Sequence, residues 1–225
     1  MGVDVVRPLT IADLLAERAG DGHPGVVTET SAWTWEEVVE QAVVRAAVLG
    51  ELRSDGPFHI GVLLENVPEF VFLLGGAALA GATLVGINPT RRGEELARDI
   101  RHTDCQVVLT DSQQAPLLAG LDLGAANGHV LQVDGDEYRS RVERHQGAEC
   151  PTDVPGPEAQ YLLLFTSGST GAPKAVRMTQ GRAARTAGAS VFTPDDILYC
   201  AMPLFHGNSL LANLFPAMAK GASVV

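Results

Sequence analysis

Tyr161-Leu162-Leu163-Leu164-Phe165-Thr166-Ser167-Gly168-Ser169-Thr170-Gly171-Ala172-Pro173-Lys174 is an apolar run that passes into hydroxyls and glycines and ends on one lysine. The apolar half reads as a buried strand. The second half has the composition of a polyphosphate cradle, in which backbone N–H groups, Ser/Thr hydroxyls and an ammonium converge on anionic oxygens. Glycine lets the backbone approach closely and take φ > 0 without steric cost. The stretch therefore points to a nucleotide triphosphate.

Two other phosphate or nucleophile motifs are excluded by spacing. In G-x-x-x-x-G-K-[ST] the lysine directly follows the second glycine, whereas Ala172-Pro173 separate Gly171 from Lys174 and Ala175 follows the lysine. Ala175-Val176-Arg177-Met178 reads as a second strand, so no helix N-terminus is available to hold the phosphates. A G-x-S-x-G elbow fails because Ser167, not glycine, stands two residues before Ser169.

The surrounding chain alternates strands and helices. Thr10 begins a helix closed by Gly20, and residues 26–28 and 32–34 read as two short strands. Thr34 and Glu37 form a capping box for a helix through about residue 49, with Val38, Val39, Ala42, Val43 and Ala46 as its apolar stripe. Residues 58–64, 84–85, 106–110 and 129–133 read as strands, and residues 69–80 and 94–102 as helices. After the phosphate loop come a helix over residues 181–190, a strand near 197–199 and a helix over 207–219. Ala222-Ser223-Val224-Val225 reads as a strand. This order predicts an α/β class, with layered, largely parallel sheets and flanking helices. Residues 135–158 are polar, charged and punctuated by Pro and Gly, and read as a linker between a first α/β part (1–134) and the phosphate-loop part (159–225).

Composition bounds the partners. The apolar fraction of 46% suits a globular chain of 225 residues. A net charge of −11 argues against nucleic acid and anionic membrane surfaces. A polyanion must then be held by local donors. Cys105, Cys150 and Cys200 are widely spaced, and the six histidines lack metal-ligand spacing. A reducing cytoplasm fits that usage. Residues 70–87 are uncharged, but Gly75, Gly76, Gly81 and Gly86 divide them into a buried helix followed by a strand rather than a membrane span. Peripheral membrane contact is left open.

T-S-G-S-T-G-A-P-K resembles the phosphate-binding motif of the adenylate-forming superfamily, which contains acyl-CoA synthetases, peptide-synthetase adenylation domains and luciferases. Met202-Pro203-Leu204-Phe205-His206-Gly207-Asn208 resembles the family's second core motif, 32 residues beyond the loop lysine at His206. Thr34-Trp35-Glu36-Glu37 is similar to its T-[YW]-x-E segment. Val85-Gly86-Ile87-Asn88-Pro89-Thr90 with Glu94-Glu95-Leu96 is similar to its V-x-x-N-P … E-E-L segment. Two positions depart from the pattern: Ala175 where glycine is frequent, and Thr179-Gln180 where Thr-His is frequent, which puts the helix cap there in question.

The resemblance implies a fatty-acid–CoA ligase using ATP, Mg²⁺ and CoA, working through an acyl-adenylate. Thr166, Ser167, Gly168, Ser169, Thr170, Gly171 and Lys174 would hold the phosphates, with Thr170 reaching the metal. Lys174 and His206 would be the catalytic side chains, His206 standing where the acyl tunnel meets the CoA channel. Members of the family are more than twice this length, so the resemblance covers an N-terminal portion without the C-terminal domain. That length implies a truncated portion, inactive by itself and molten beyond the linker, with Leu210, Leu211, Leu214 and Phe215 lacking half their core. A non-catalytic remnant, an assembly fragment pairing with a second chain or with itself, and an acyl-AMP ligase are the alternatives.

Overall fold

The computed structural model describes residues 10–166 and 174–225. Its first two described helices begin where a threonine side chain satisfies a free helix N–H. Thr10 opens α1 (Ile11–Arg18), its Oγ1 accepting from Asp13 N at 3.0 Å while Asp13 takes the Thr10 N–H. After the β1 (Pro24–Val27) and β2 (Ala32–Thr34) hairpin, the expected Thr34–Glu37 box starts α2 (Trp35–Leu52). Then come β3 (His59–Leu63) and α3 (Pro68–Ala80), which has proline in its first turn and ends at Gly81 with φ 69°. β4 (Thr83–Gly86), α4 (Gly93–His102) and β5 (Val107–Thr110) follow. A 3-10 turn at Ala115–Leu118 and then β6 (Val130–Gln132) come next.

The chain continues through α5 (Asp136–Arg144), β7 (Gln160–Thr166), β8 (Lys174–Thr179), α6 (Gln180–Gly188) and β9 (Ile197–Leu198). The last helical segment has three parts: α7 (Gly207–Ser209), a π turn (Leu210–Leu214) and α8 (Phe215–Lys220). Pro216 explains the π turn. It has no N–H for an i→i−4 bond and its ring crowds the carbonyl four residues back, so the turn before it widens. β10 (Ser223–Val224) closes the order.

Two sheets organise the molecule. One has six strands in the order β6-β5-β3-β4-β7-β8, parallel throughout except for β8, which returns antiparallel to β7. The other has four, in the order β2-β1-β10-β9, with β10 parallel to both neighbours. The α/β class with largely parallel sheets is thus observed. β7 divides its side chains by alternation: Leu162 and Leu164 join the main core, Leu163 and Phe165 a smaller one with α4. The 70–87 stretch is a helix and a strand, as read from its glycines, and no helix among the described residues is long and apolar enough to cross a membrane. Gly75 and Gly76 have a packing reason: a Cβ there would lie 2.5 Å from Ala42 Cβ and 2.6 Å from Arg45 Cβ, so α2 and α3 touch backbone to backbone.

Two sequence expectations are corrected. Residues 135–158 are not simply a linker, because Asp136–Arg144 form α5. Tyr138 is 1% exposed and donates its hydroxyl to Glu69, which also accepts from Arg45 Nε at 2.9 Å. Arg141 and His145 reach Glu51 on α2, each at 2.8 Å. One buried aromatic and a set of ion pairs hold this helix, so it carries no apolar stripe to recognise. Both sheets also cross the division at 134/159: β7 and β8 extend the sheet of β3–β6, and β10 lies between β1 and β9. The second correction concerns residues 210–215. Leu210, Leu214 and Phe215 are buried and Leu211 is half-buried, in the same core as α1, α3 and Tyr161. Their cover comes from earlier in the chain.

Candidate active site

The site is built at the carboxyl edge of the six-stranded sheet, where β3, β4, β5 and β7 all end. In open α/β sheets that edge is where ligands bind. β7 and β8 run antiparallel up to the pair Thr166–Lys174, which closes the hairpin. The two residues named at the ends of the phosphate motif therefore face each other across two strands, with Lys174 exposed. Ser167, Gly168, Ser169, Thr170 and Gly171, expected to contact the phosphates, lie outside the described residues, and so does the metal role given to Thr170. Among the described residues no three His, Cys, Asp or Glu side chains stand together as a metal site.

Downstream of the hairpin, the helix cap in question is made by Thr179, whose Oγ1 accepts from Arg182 N at 3.3 Å. Gln180 has another task. It is buried, its Oε1 accepts from Ile11 N at 3.1 Å and its Nε2 donates to Ala78 O at 3.0 Å. One amide thereby satisfies the start of α1 and the end of α3, and ties the hairpin's exit to both.

The segment carrying His206 crosses the same edge. Leu204 and Phe205 are buried and His206 is exposed, its ring 5.8 Å from that of Phe205. Gly86, the last residue of β4, lets this happen: a Cβ there would lie 3.0 Å from Phe205 O and 3.1 Å from its Cα. A Cβ at Gly207 would meet Leu164 Cδ1 of β7 at 3.4 Å, an ordinary van der Waals contact. Leu164 pairs with Gly86 on one side and Val176 on the other. The turn bearing His206 therefore lies over β4 and β7, two residues of β7 short of Thr166. The hairpin mouth and the histidine turn share one sheet edge.

Asn66, which follows β3, holds this segment and was not among the residues singled out from the sequence. Its Oδ1 accepts from Leu204 N at 2.7 Å, and its Nδ2 donates to Met202 O at 3.0 Å. Beyond β4, Asn88 Oδ1 accepts from the Thr90 N–H and hydroxyl, each at 2.8 Å, which shapes the N-P-T turn. Arg91 then reaches the buried Asp99 at 3.4 Å. Burial, more than the nearby Arg91 guanidinium offsets, pushes that carboxyl above its ordinary range.

Fold and site together define an adenylate-forming type of domain, and residues 15–225 match the family described as AMP-binding enzyme, to which the chain belongs. It is 53% identical over 221 residues to the steroid-22-oyl-CoA synthetase of Rhodococcus jostii (strain RHA1), covering 96% of this chain and 40% of that protein. It is 37% identical over 221 residues to a medium/long-chain-fatty-acid–CoA ligase of Mycobacterium marinum, covering 96% and 42%. The structure of VinN with 3-methylaspartate superposes with a TM-score of 0.84 at 25% identity, over 97% of this chain and 62% of that one. The chain thus spans about two fifths of the length of the curated relatives it matches.

Proposed function

We propose that this chain supplies the phosphate-binding and acyl-side part of an AMP-forming acid–CoA ligase. The observation that carries the reading is the Thr166–Lys174 pair, which closes the T-S-G-S-T-G-A-P-K loop at the carboxyl edge of a parallel sheet. The substrate carboxylate attacks the α-phosphorus of ATP, and the bond to pyrophosphate breaks. The thiol of CoA then attacks the acyl carbon and AMP leaves.

Negative charge builds on the departing pyrophosphate in the first step, so positioned donors there lower the barrier, by roughly 3–4 kcal/mol each in a dry site. Lys174, the hydroxyls of Thr166, Ser167, Ser169 and Thr170, and the amides of Gly168 and Gly171 are those donors. Thr170 would be the residue to hold Mg²⁺, which when bound would further neutralise the phosphates. His206 acts on the second half-reaction, at the meeting of acyl and CoA paths. The three free cysteines, one of them exposed, favour a reducing cytoplasm as its place.

The acid has a large apolar body. Identity of 53% with a steroid-22-oyl-CoA synthetase favours a steroid side-chain acid; the 37% identity with medium/long-chain-fatty-acid–CoA ligases supports a fatty acid as the second reading. The test is thioester formation by an enzyme of its relatives' length carrying these residues, offered a steroid C22 acid and a series of fatty acids. A kcat/KM at least tenfold higher for the steroid acid supports the first reading. The reverse order supports the second, and no thioester from any apolar acid contradicts both.

A further inference from the structure

We propose that Asn66 is a positioning residue for His206, fixing the backbone from which that histidine reaches the second half-reaction. The inference rests on the role given to His206 above.

The segment holds itself only from Pro203 onward, where His206 N donates to Pro203 O at 2.9 Å. Pro203 has no N–H, so residues 202–204 lack one donor of an ordinary ladder. Asn66 takes over the missing ladder with one carboxamide, donating to Met202 O at 3.0 Å and accepting from Leu204 N at 2.7 Å, on either side of the proline. Its Nδ2 also stands 3.5 Å from Cys200 O. A second clamp follows: Ser209 Oγ lies 2.5 Å from Pro203 O and 2.6 Å from His206 O. Between the clamps, the Phe205 backbone rests where a Cβ of Gly86 would be. The His206 side chain makes no capping bond at the start of α7 and is exposed. Its place is therefore set by its backbone, which Asn66 anchors from outside at Met202 and Leu204, beyond the Cys200 N bond to Val225 O at 2.8 Å. A shift of about 1 Å at a reacting centre costs on the order of a hundredfold in rate.

The test is a double-mutant cycle of Asn66→Ala and His206→Ala in an enzyme of its relatives' length, following adenylation by ATP–pyrophosphate exchange and transfer by thioester release. Asn66→Ala is expected to slow transfer by about tenfold or more, to leave exchange within about threefold, and to have no further effect once His206 is alanine. Additive losses on transfer, or exchange falling in step with it, would overturn the proposal and reduce Asn66 to general support. If the unsubstituted enzyme forms no thioester, the functional reading fails instead. An independent arm uses the 225-residue chain alone: Asn66→Ala should speed amide hydrogen exchange at Leu204, and unchanged protection there overturns the anchor. If Asn66→Ala does not fold, Asn66→Asp serves the kinetic arm, because it keeps the acceptor for Leu204 and loses the donor to Met202.

Discussion

Trp35, the first residue of α2, donates its indole N–H to the carbonyl of Ala222 at 3.0 Å, across 187 positions of sequence. Both residues are fully buried, and the ring also fills the place where a Cβ of Gly25 would be, 2.7 Å away. This bond and the pairing of β10 with β1 fasten the last residues of the chain to its first hairpin. Trp35→Phe keeps most of the ring and strands the Ala222 carbonyl. The expected cost is roughly 2–3 kcal/mol, from one unsatisfied buried acceptor and lost packing. Urea unfolding checks it: the midpoint should fall with the slope unchanged.

The close contact of α2 and α3 gives opposite expectations for two glycines. Gly76→Ala would place a methyl 2.6 Å from Arg45 Cβ and 2.9 Å from its carbonyl carbon, and backbone cannot yield cheaply. Overpacking of that kind costs about 1–3 kcal/mol. Gly50, also within a helix, has nothing within 4 Å of an added Cβ, so Gly50→Ala should stabilise by about 0.5–1 kcal/mol. Thermal melts of the two variants should move in opposite directions.

Asp99 makes stability depend on pH with a defined sign. Burial raises its folded pKa above the unfolded value, with Arg91 offsetting part of the rise. The stability it contributes is complete below the unfolded pKa, about 3.9, and is lost as pH rises through the folded value. Neither carboxylate oxygen has a hydrogen bond. Asp99→Asn should therefore melt higher than the parent at neutral pH, and the difference should close as pH falls below 4. Melting curves that stay parallel across that range would contradict this.

Much of the fold was legible because its signals are local. The Thr34–Glu37 box, the glycine-divided 70–87 stretch and the apolar run entering the phosphate loop each sit within a few residues of what they specify. What escaped depends on distant partners. α5 looked like a linker because its nine residues bury only Tyr138 and rely on Arg45, Glu69 and Glu51 from other helices. Leu210, Leu214 and Phe215 looked uncovered because their cover comes from α1, α3 and β7. The same holds at the site. Thr166, Lys174 and His206 were read from motif order, whereas Asn66 acts on Leu204 across 138 residues and Gln180 on Ile11 across 169, and neither leaves a local pattern.

The central claim is that the Thr166–Lys174 hairpin mouth serves the leaving pyrophosphate. ATP–pyrophosphate exchange dependent on an apolar acid, measured in an enzyme of its relatives' length with Lys174→Ala beside the parent, tests it most directly. Loss of an ammonium aimed at that charge should lower exchange by about 10²–10³-fold, while His206→Ala leaves exchange largely intact and slows transfer to CoA. Exchange that persists at the parental rate in Lys174→Ala would contradict the account.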